Sequence, residues 1–472
     1  MNYDYIIIGG GISGLYVAYN ILKKKRGSRI LILEKANYFG GRIFTYSDPN
    51  MSVEAGAGRF NTTHHLFIRL LKELGLYKKK VKNSSSVGHY YIDHHTNTTR
   101  YMDSIIDYQP TASSVSSVAS SASLQIPVSG VIENNFLELW LFKSKGILPN
   151  AGLIVRILAA AKITSKKVMI SMTFVEFAKT VLPPDDVDFL IGSFGYYSEL
   201  VLMNAFDCCN LIMELDPSNQ FYSLNGGLSQ VTDELVKQIR LLGVLLLTQR
   251  FVKDIRYGAN HGEYIVSGVN ENDHSCRFSF KGRAVICALP KHAMEYFAIF
   301  RPILPLIRPV LSAPLCRIYA KYPLANAGAG HVWFRGLSKF TVNNELRMVI
   351  PISEKDGVIM ISYSDNKFAE FWKGVYDRRG EPGLNKELQR LFLQATGITI
   401  PDAIEIRCFF WKFGVGYWGK GADSAKISRV VAQPFLGESI YICNENFSNK
   451  YQQWMEGALD SSSRVLQKIL VG

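Results

Sequence analysis

Gly9, Gly11 and Gly14 stand in G-x-G-x-x-G register within DYIIIGGGISGLYVAYNIL, residues 4–22, directly after a strand-like run and at the start of an amphipathic one. Glycine permits the tight turn and lets backbone come close to a pyrophosphate, whose charge the N-terminus of the following helix favours. Glu34 ends the next apolar run, RILILE, twenty positions after Gly14. At that distance an acidic side chain can take the ribose hydroxyls of an adenosine. Together these residues predict a dinucleotide site, and the neighbouring Ser13 and Lys35 are counted with it. A second small-residue turn follows in VEAGAGRFN, residues 53–61, where Gly56, Ala57 and Gly58 lead into Arg59. It fixes a permanent cation beside a flexible turn, and its partner depends on what the first forty-odd residues bind.

No other constellation competes. The seven cysteines show no CxxC spacing, and the adjacent Cys208 and Cys209 are expected to be buried thiols. No Ser-His-Asp triad or metal cluster is persuasive. His64 and His65 adjoin the arginine loop, but neighbours on a helix do not share one face, so a solvent-facing or capping role is expected.

The elements that must position these residues follow from periodicity. Residues 1–60 read as strand, glycine turn, amphipathic helix, strand and loop. Helical spacing takes over between 61 and 221, as at Leu66, Leu70 and Leu74. From Asn225, NGGLSQVTDELVKQI reads as a glycine turn capping a helix, followed by an apolar strand at 244–247 and by RFVKDI. AVICALP, 284–290, reads as a buried strand ended by Pro290. Residues 301–424 read as alternating, aromatic-rich strands, and 439–470 as strand, loop and helix. The expected fold is α/β, with a Rossmann-like dinucleotide domain built from 1–60, 222–300 and 425–472. It is interleaved with a mixed α+β substrate domain built from 61–221 and 301–424. TASSVSSVASSAS, 111–123, cannot fill a core and is expected to form an exposed loop or insertion.

Charge narrows the partners. Lys and Arg exceed Asp and Glu by 13, but the excess is scattered, so no nucleic-acid partner is expected and an anionic cofactor or substrate is favoured. The most apolar long segment, 152–172, is broken by Arg156, Lys162, Lys166 and Lys167, which predicts no membrane span. The chain enters a strand without a leader, so a reducing, cytoplasmic location is the expectation. Oligomeric state is left open.

After Glu34 comes KANYFGGRI, and Glu34, Gly40, Gly41 and Arg42 resemble the E-x(5)-G-G-R signature of the FAD-dependent flavin amine oxidases. That family includes the monoamine, polyamine and L-amino-acid oxidases. The resemblance runs at intervals over nearly the whole chain and is weakest at 77–220. It implies FAD as cofactor, with Arg42 offering its donors to the phosphates. It also places the Val252 backbone against the adenine and Gly226 and Gly227 in a turn before a second cofactor-domain helix. Glu445 takes the position of the closing acidic residue, and Trp454 and Met455 stand at the start of a helix aimed at the flavin or its pyrophosphate. No cysteine falls near GVGYWGKGA, 414–422, where monoamine oxidases attach the flavin, so noncovalent FAD is expected.

Arg59 matches the position at which L-amino-acid oxidases receive the substrate carboxylate, although Gly58 replaces the usual methionine. Tyr363, in GVIMISYSDNKFAEFW, resembles the tyrosine that assists that arginine, and Trp454 the aromatic wall at the reactive face of the flavin. Arg59, Tyr363, Trp454 and Arg317 form the expected catalytic set. The implied reaction oxidises the C–N bond of an amino acid or related amine to an imine, which water hydrolyses to a keto acid and ammonia, while O2 becomes H2O2. Two positions depart from the pattern. Many members have a lysine where LCRIYAKYP has Arg317, and arginine cannot donate a proton near neutrality. The usual A-G-E reads Cys443, Asn444, Glu445. A monoamine or polyamine oxidase, an amino-acid monooxygenase and an FAD-binding protein without turnover are the alternatives.

Overall fold

The computed structural model describes residues 2–82, 90–93, 98–100, 151–214, 220–324 and 332–471; the polar run at 111–123 lies outside them. Its centre is a five-stranded, all-parallel sheet in the order Leu245–Leu247, Ile30–Leu33, Tyr5–Ile8, Val285–Cys287, Ile440–Ile442. The inner strands YIII, ILIL, VIC and IYI are unbroken apolar runs because both faces are covered. Ile7, Ile32 and Ile286 pack on helices Ile12–Lys24, Ser229–Leu241 and Met455–Val471. Ile6, Ile8, Leu31, Val285 and Ile440 face the other way, onto Val252, Ile255, Tyr264 and Val266 of a second sheet. That sheet orders Asn2–Tyr3, Arg277–Gly282, Tyr264–Asn270 and Arg250–Tyr257. The strand order reverses at Tyr5–Ile8, and its carboxyl end opens on a crevice of the kind in which doubly wound sheets hold ligands.

A seven-stranded sheet forms the wall opposite, in the order Glu405–Trp418, Val310–Lys321, Val358–Asp365, Met348–Ser353, Phe340–Val342, Tyr90–Asp93, Thr98–Arg100. In Val310–Lys321 the period of two separates Cys316, Ile318 and Ala320, packed in a closed core, from Leu315, Arg317 and Tyr319, which line the cavity. A β-bulge beside Met360 and Ser362 reverses that phase in the neighbouring strand. It brings Tyr363 onto the same face as Met360 and into register with Arg317.

The closed face of this sheet carries a correction to the expected run of strands. Residues Asn366–Thr396 are helical, interrupted at Gly380, whose φ of 60° and ψ of −161° break the helix just before Pro382. Trp372, Val375, Leu384, Leu388, Leu391 and Phe392 recur at three- and four-residue spacing and fill the core beneath the sheet. Aromatic density in the flanking strands masks that period. Six short helices between Ala151 and Glu214 form a separate layer around Ile157, Phe174, Leu190 and Leu200. Among the described residues no helix is long and apolar enough to cross a membrane.

Candidate active site

A cavity of about 1440 Å³ runs from the glycine turn to the face of the seven-stranded sheet. Its first end is built by local backbone chemistry. Gly11 caps helix Ile12–Lys24 without a side-chain partner and the first turn carries no acid, so the opening N–H groups face the cavity uncompensated. Gly9 has a φ of +106°, and a Cβ there would strike Ala288. A Cβ on Gly14 would collide with the Gly9 carbonyl oxygen, whereas one on Gly11 would meet nothing nearer than 3.8 Å, at Gly41 Cα. Gly14 therefore serves the packing of helix on strand, and Gly11 leaves open space on the cavity wall. Glu34 Oε2 accepts from Gly10 N at 2.7 Å and Oε1 from Ala36 N at 2.8 Å. Burial pushes its carboxyl up and these two N–H groups draw it back. A donor-rich turn, an acid at ribose distance and a cavity larger than a typical small-ligand site all fit a dinucleotide.

Arg42 closes this end. Its Nη1 lies 2.6 Å from Glu445 Oε1 and 2.9 Å from the Gly414 carbonyl oxygen, and Nη2 donates to Asn444 Oδ1 at 3.2 Å. Glu445 also accepts from Gln453 N and from Asn446 Nδ2. The side chain at Asn444, where the family pattern has glycine, thus helps to hold Arg42. Gly56 and Ala57 fold against the backbone of Arg42, since Ala57 N donates to Arg42 O at 2.8 Å and a Cβ on Gly56 would collide with that same oxygen. Ser13 and Met455 are buried on the cavity wall. Lys35 and Val252 do not line it. Lys35 is exposed, with Nζ 3.3 Å from Glu271 and 4.4 Å from the Phe251 ring centre, and the Val252 side chain is buried between the two sheets.

The other end collects groups from elements far apart in the chain. Arg59 Nη2 donates to Tyr196 Oη at 3.1 Å, and its guanidinium sits 4.4 Å from the Phe221 ring and 5.8 Å from Trp454, which stack on each other at 6.0 Å. Tyr196 packs edge-on against Tyr363 at 5.6 Å. Tyr363 Oη accepts from Arg317 Nη2 at 3.3 Å, and Arg317 Nη1 donates to the Glu54 carbonyl oxygen at 2.8 Å. The hydroxyl that holds Arg59 is therefore that of Tyr196, while Tyr363 serves Arg317, a division that the family pattern did not convey. Gly58 leaves room for Arg317, whose Nη1 would lie 3.2 Å from a Cβ at that position.

Four further residues complete this end. Glu199 lines the cavity, 4% exposed, and burial followed by the nearby Asp365 pushes its carboxyl up to about 8. Lys339 lines it as well, with its amine pushed down to about 7 by burial and by Arg59. Phe221 faces Arg59. Of the solvent-facing or capping role expected, His64 has only the place of a cap, at the N-terminus of His65–Glu73 with no side-chain capping bond: it is buried edge-on against Trp454 at 4.9 Å, and burial pushes it down to about 3, so it is a neutral prop for that ring. His65 is exposed. An acid inside the apolar helical run YSELVL was a readable signal for Glu199. Tyr196, Phe221 and Lys339 had none, because no spacing links them to Arg59.

Comparison with known proteins agrees with this geometry. The chain matches the flavin-containing amine oxidoreductase family model over residues 12–339. It is 23% identical to Aplysianin-A of Aplysia kurodai, over 99% of this chain and 90% of that protein. A shorter stretch, 16% of this chain and 15% of the other, is 40% identical to flavin-containing amine oxidase A of Sus scrofa. Wild-type putrescine oxidase bound to putrescine superposes with a TM-score of 0.67 at 15% identity, with 100% of both chains covered, and so shares the fold. With the glycine turn, Glu34 and Arg42 around one end of the cavity and the family match spanning most of the sequence, this chain belongs to the flavin-containing amine oxidoreductases.

Proposed function

We propose that the chain is an FAD-dependent oxidase of an α-amino acid, converting its C–N bond to an imine that water hydrolyses to a keto acid and ammonia, with O2 reduced to H2O2. The observation that carries this reading is Arg59. It lines the cavity, holds only a tyrosine hydroxyl and two aromatic faces, and forms no ion pair with an acid among the described residues. A carboxylate that leaves water needs a charged, forked partner to offset its desolvation.

The bound flavin supplies the hydride acceptor. The chain supplies position and electrostatics. Tyr196 and Phe221 orient the Arg59 fork, and Trp454, steadied by His64, gives a flat wall against which a substrate carbon is held. Arg59, Arg317 and Lys339 place positive charge around the substrate, which lowers the proton affinity of its amine and favours the neutral form from which hydride departs. No described residue on the cavity wall is a cysteine, which supports noncovalent FAD.

Anaerobic mixing of the yellow holoprotein with an amino-acid panel and a polyamine panel tests the reading. Bleaching by amino acids, lost in Arg59→Met with flavin content retained, is the expected result. Bleaching by polyamines alone, or equal bleaching by the variant, would refute it.

A further inference from the structure

The walls of the substrate end carry more positive charge than one carboxylate can neutralise. Arg59, Arg317 and Lys339 all line it, and none of the three lies within salt-bridge distance of an acid among the described residues. Arg317 is 8% exposed, and its Nε has no partner. Among the described residues its hydrogen-bond partners are neutral oxygens, the Glu54 carbonyl and the hydroxyls of Tyr363 and Tyr319. A guanidinium buried with neutral partners alone is costly unless an anion joins it. The FAD phosphates would not meet this need, since the glycine turn that would hold them lies at the far end of the cavity.

The acids on the wall do not fill the role either. The Glu54 carboxylate feels Arg317, but burial outweighs that attraction, and its oxygens are taken by Leu228 N at 2.7 Å and Thr45 Oγ1 at 2.9 Å. Glu354 accepts from Gly336 N at 2.9 Å. Glu199 is buried beside Asp365, with its carboxyl pushed up to about 8, and is therefore protonated at neutral pH. Its Oε2 has no partner. In that form it does not repel a second anion and can donate a hydrogen bond to one. The depressed amine of Lys339 regains its full charge once an anion stands beside it.

Resting on the amino-acid oxidase reading, we infer that the preferred substrate is a dicarboxylic amino acid of the aspartate or glutamate type. Its two carboxylates are received by Arg59, beside which Lys339 and Glu199 stand, and by Arg317. The chemical step is unchanged, and the second acid group adds binding and orientation.

Two measurements on the holoprotein test this. In the first, the visible spectrum of the oxidised flavin is titrated with glutarate and with butyrate, which differ by one carboxylate. Glutarate is expected to bind at least about 10-fold tighter, the effect of one added charge-assisted hydrogen bond, and Lys339→Met is expected to narrow that ratio. Equal affinity for the two acids would overturn the inference and leave the Arg59 reading standing; no spectral response to either would count against both. In the second, anaerobic bleaching by L-aspartate and L-glutamate is compared with L-leucine and L-lysine. The acidic pair is expected to saturate at concentrations at least about 10-fold lower, and a preference for leucine or lysine would overturn it.

Discussion

Arg59 Nη2 and Tyr196 Oη meet at 3.1 Å across 137 positions of sequence, joining the arginine loop to the helical layer. The hydroxyl sets the direction of the guanidinium while Phe221 and Trp454 support its plane. A hydrogen bond to a charged group contributes about 1.5–3 kcal/mol. Tyr196→Phe is therefore expected to weaken amino-acid binding about 10-fold, read as the concentration that half-saturates anaerobic flavin reduction. Flavin content should be unchanged. An unaltered half-saturation would remove Tyr196 from the site.

The two glycines of the turn should fail in different ways. A Cβ on Gly14 strikes the Gly9 carbonyl oxygen, and overpacking of this kind costs about 1–3 kcal/mol or prevents folding. Gly14→Ala should lower the melting temperature of the apoprotein. Gly11→Ala meets only atoms at 3.8 and 3.9 Å, so its apoprotein should melt normally, yet its methyl group enters the cavity where we propose that phosphate binds. Its flavin affinity should fall by at least about 100-fold. Equal melting and equal flavin affinity in the two variants would contradict this division.

Arg42 and Glu445 form a pair in which the acid is nearly enclosed, its side chain 7% exposed against 27% for the arginine. Arg42→Met strands that carboxylate, a loss of about 2 kcal/mol after allowance for the partly exposed partner. Glu445→Gln keeps an acceptor for Arg42 and removes the charge. The expected order of apoprotein melting is wild type near Glu445→Gln, with Arg42→Met lowest, and flavin content should fall most in Arg42→Met. The reverse order would show that the Glu445 carboxylate does not depend on Arg42.

Glu199 makes stability depend on pH in a direction opposite to most surface acids. Its carboxyl is raised in the folded state from 4.5 to about 8, chiefly by burial, so the folded protein holds a proton that the unfolded chain has released. The stability linked to that proton is fully present below pH 4.5 and is lost as the pH rises through about 8. Glu199→Gln, which stays neutral, should melt at the wild-type temperature near pH 4.5 and about 2 °C or more above it at pH 8.5. A variant that gains nothing at high pH would show that the carboxyl ionises freely in the fold.

Much of the cofactor end was legible because it is local. Gly9, Gly11, Gly14, Glu34, Gly41 and Arg42 lie within 34 consecutive residues; the glycines act through their own backbone, and the Glu34 side chain reaches only as far as Gly10 N and Ala36 N. The strands of the parallel sheet were equally readable, since apolar runs buried on both faces need no partner to be recognised. The helices at Asn366–Thr396 were missed, although Trp372, Val375, Leu384 and Leu388 hold their period, because strand-like aromatic runs on either side hid it.

By itself, the sequence determined that a glycine turn joins the first strand of the parallel sheet to its helix and that a cation follows at position 59, since both depend on residue type and short spacing. Only the tertiary structure decided what that cation touches. Tyr363 is turned toward Arg317 by a bulge that no composition rule anticipates. Tyr196, Glu199 and Lys339 reach the cavity from helices and strand edges whose approach depends on packing across the whole molecule. Burial then determined their chemistry: the same glutamate and lysine side chains would titrate normally on the surface, and in this cavity desolvation raises one and lowers the other.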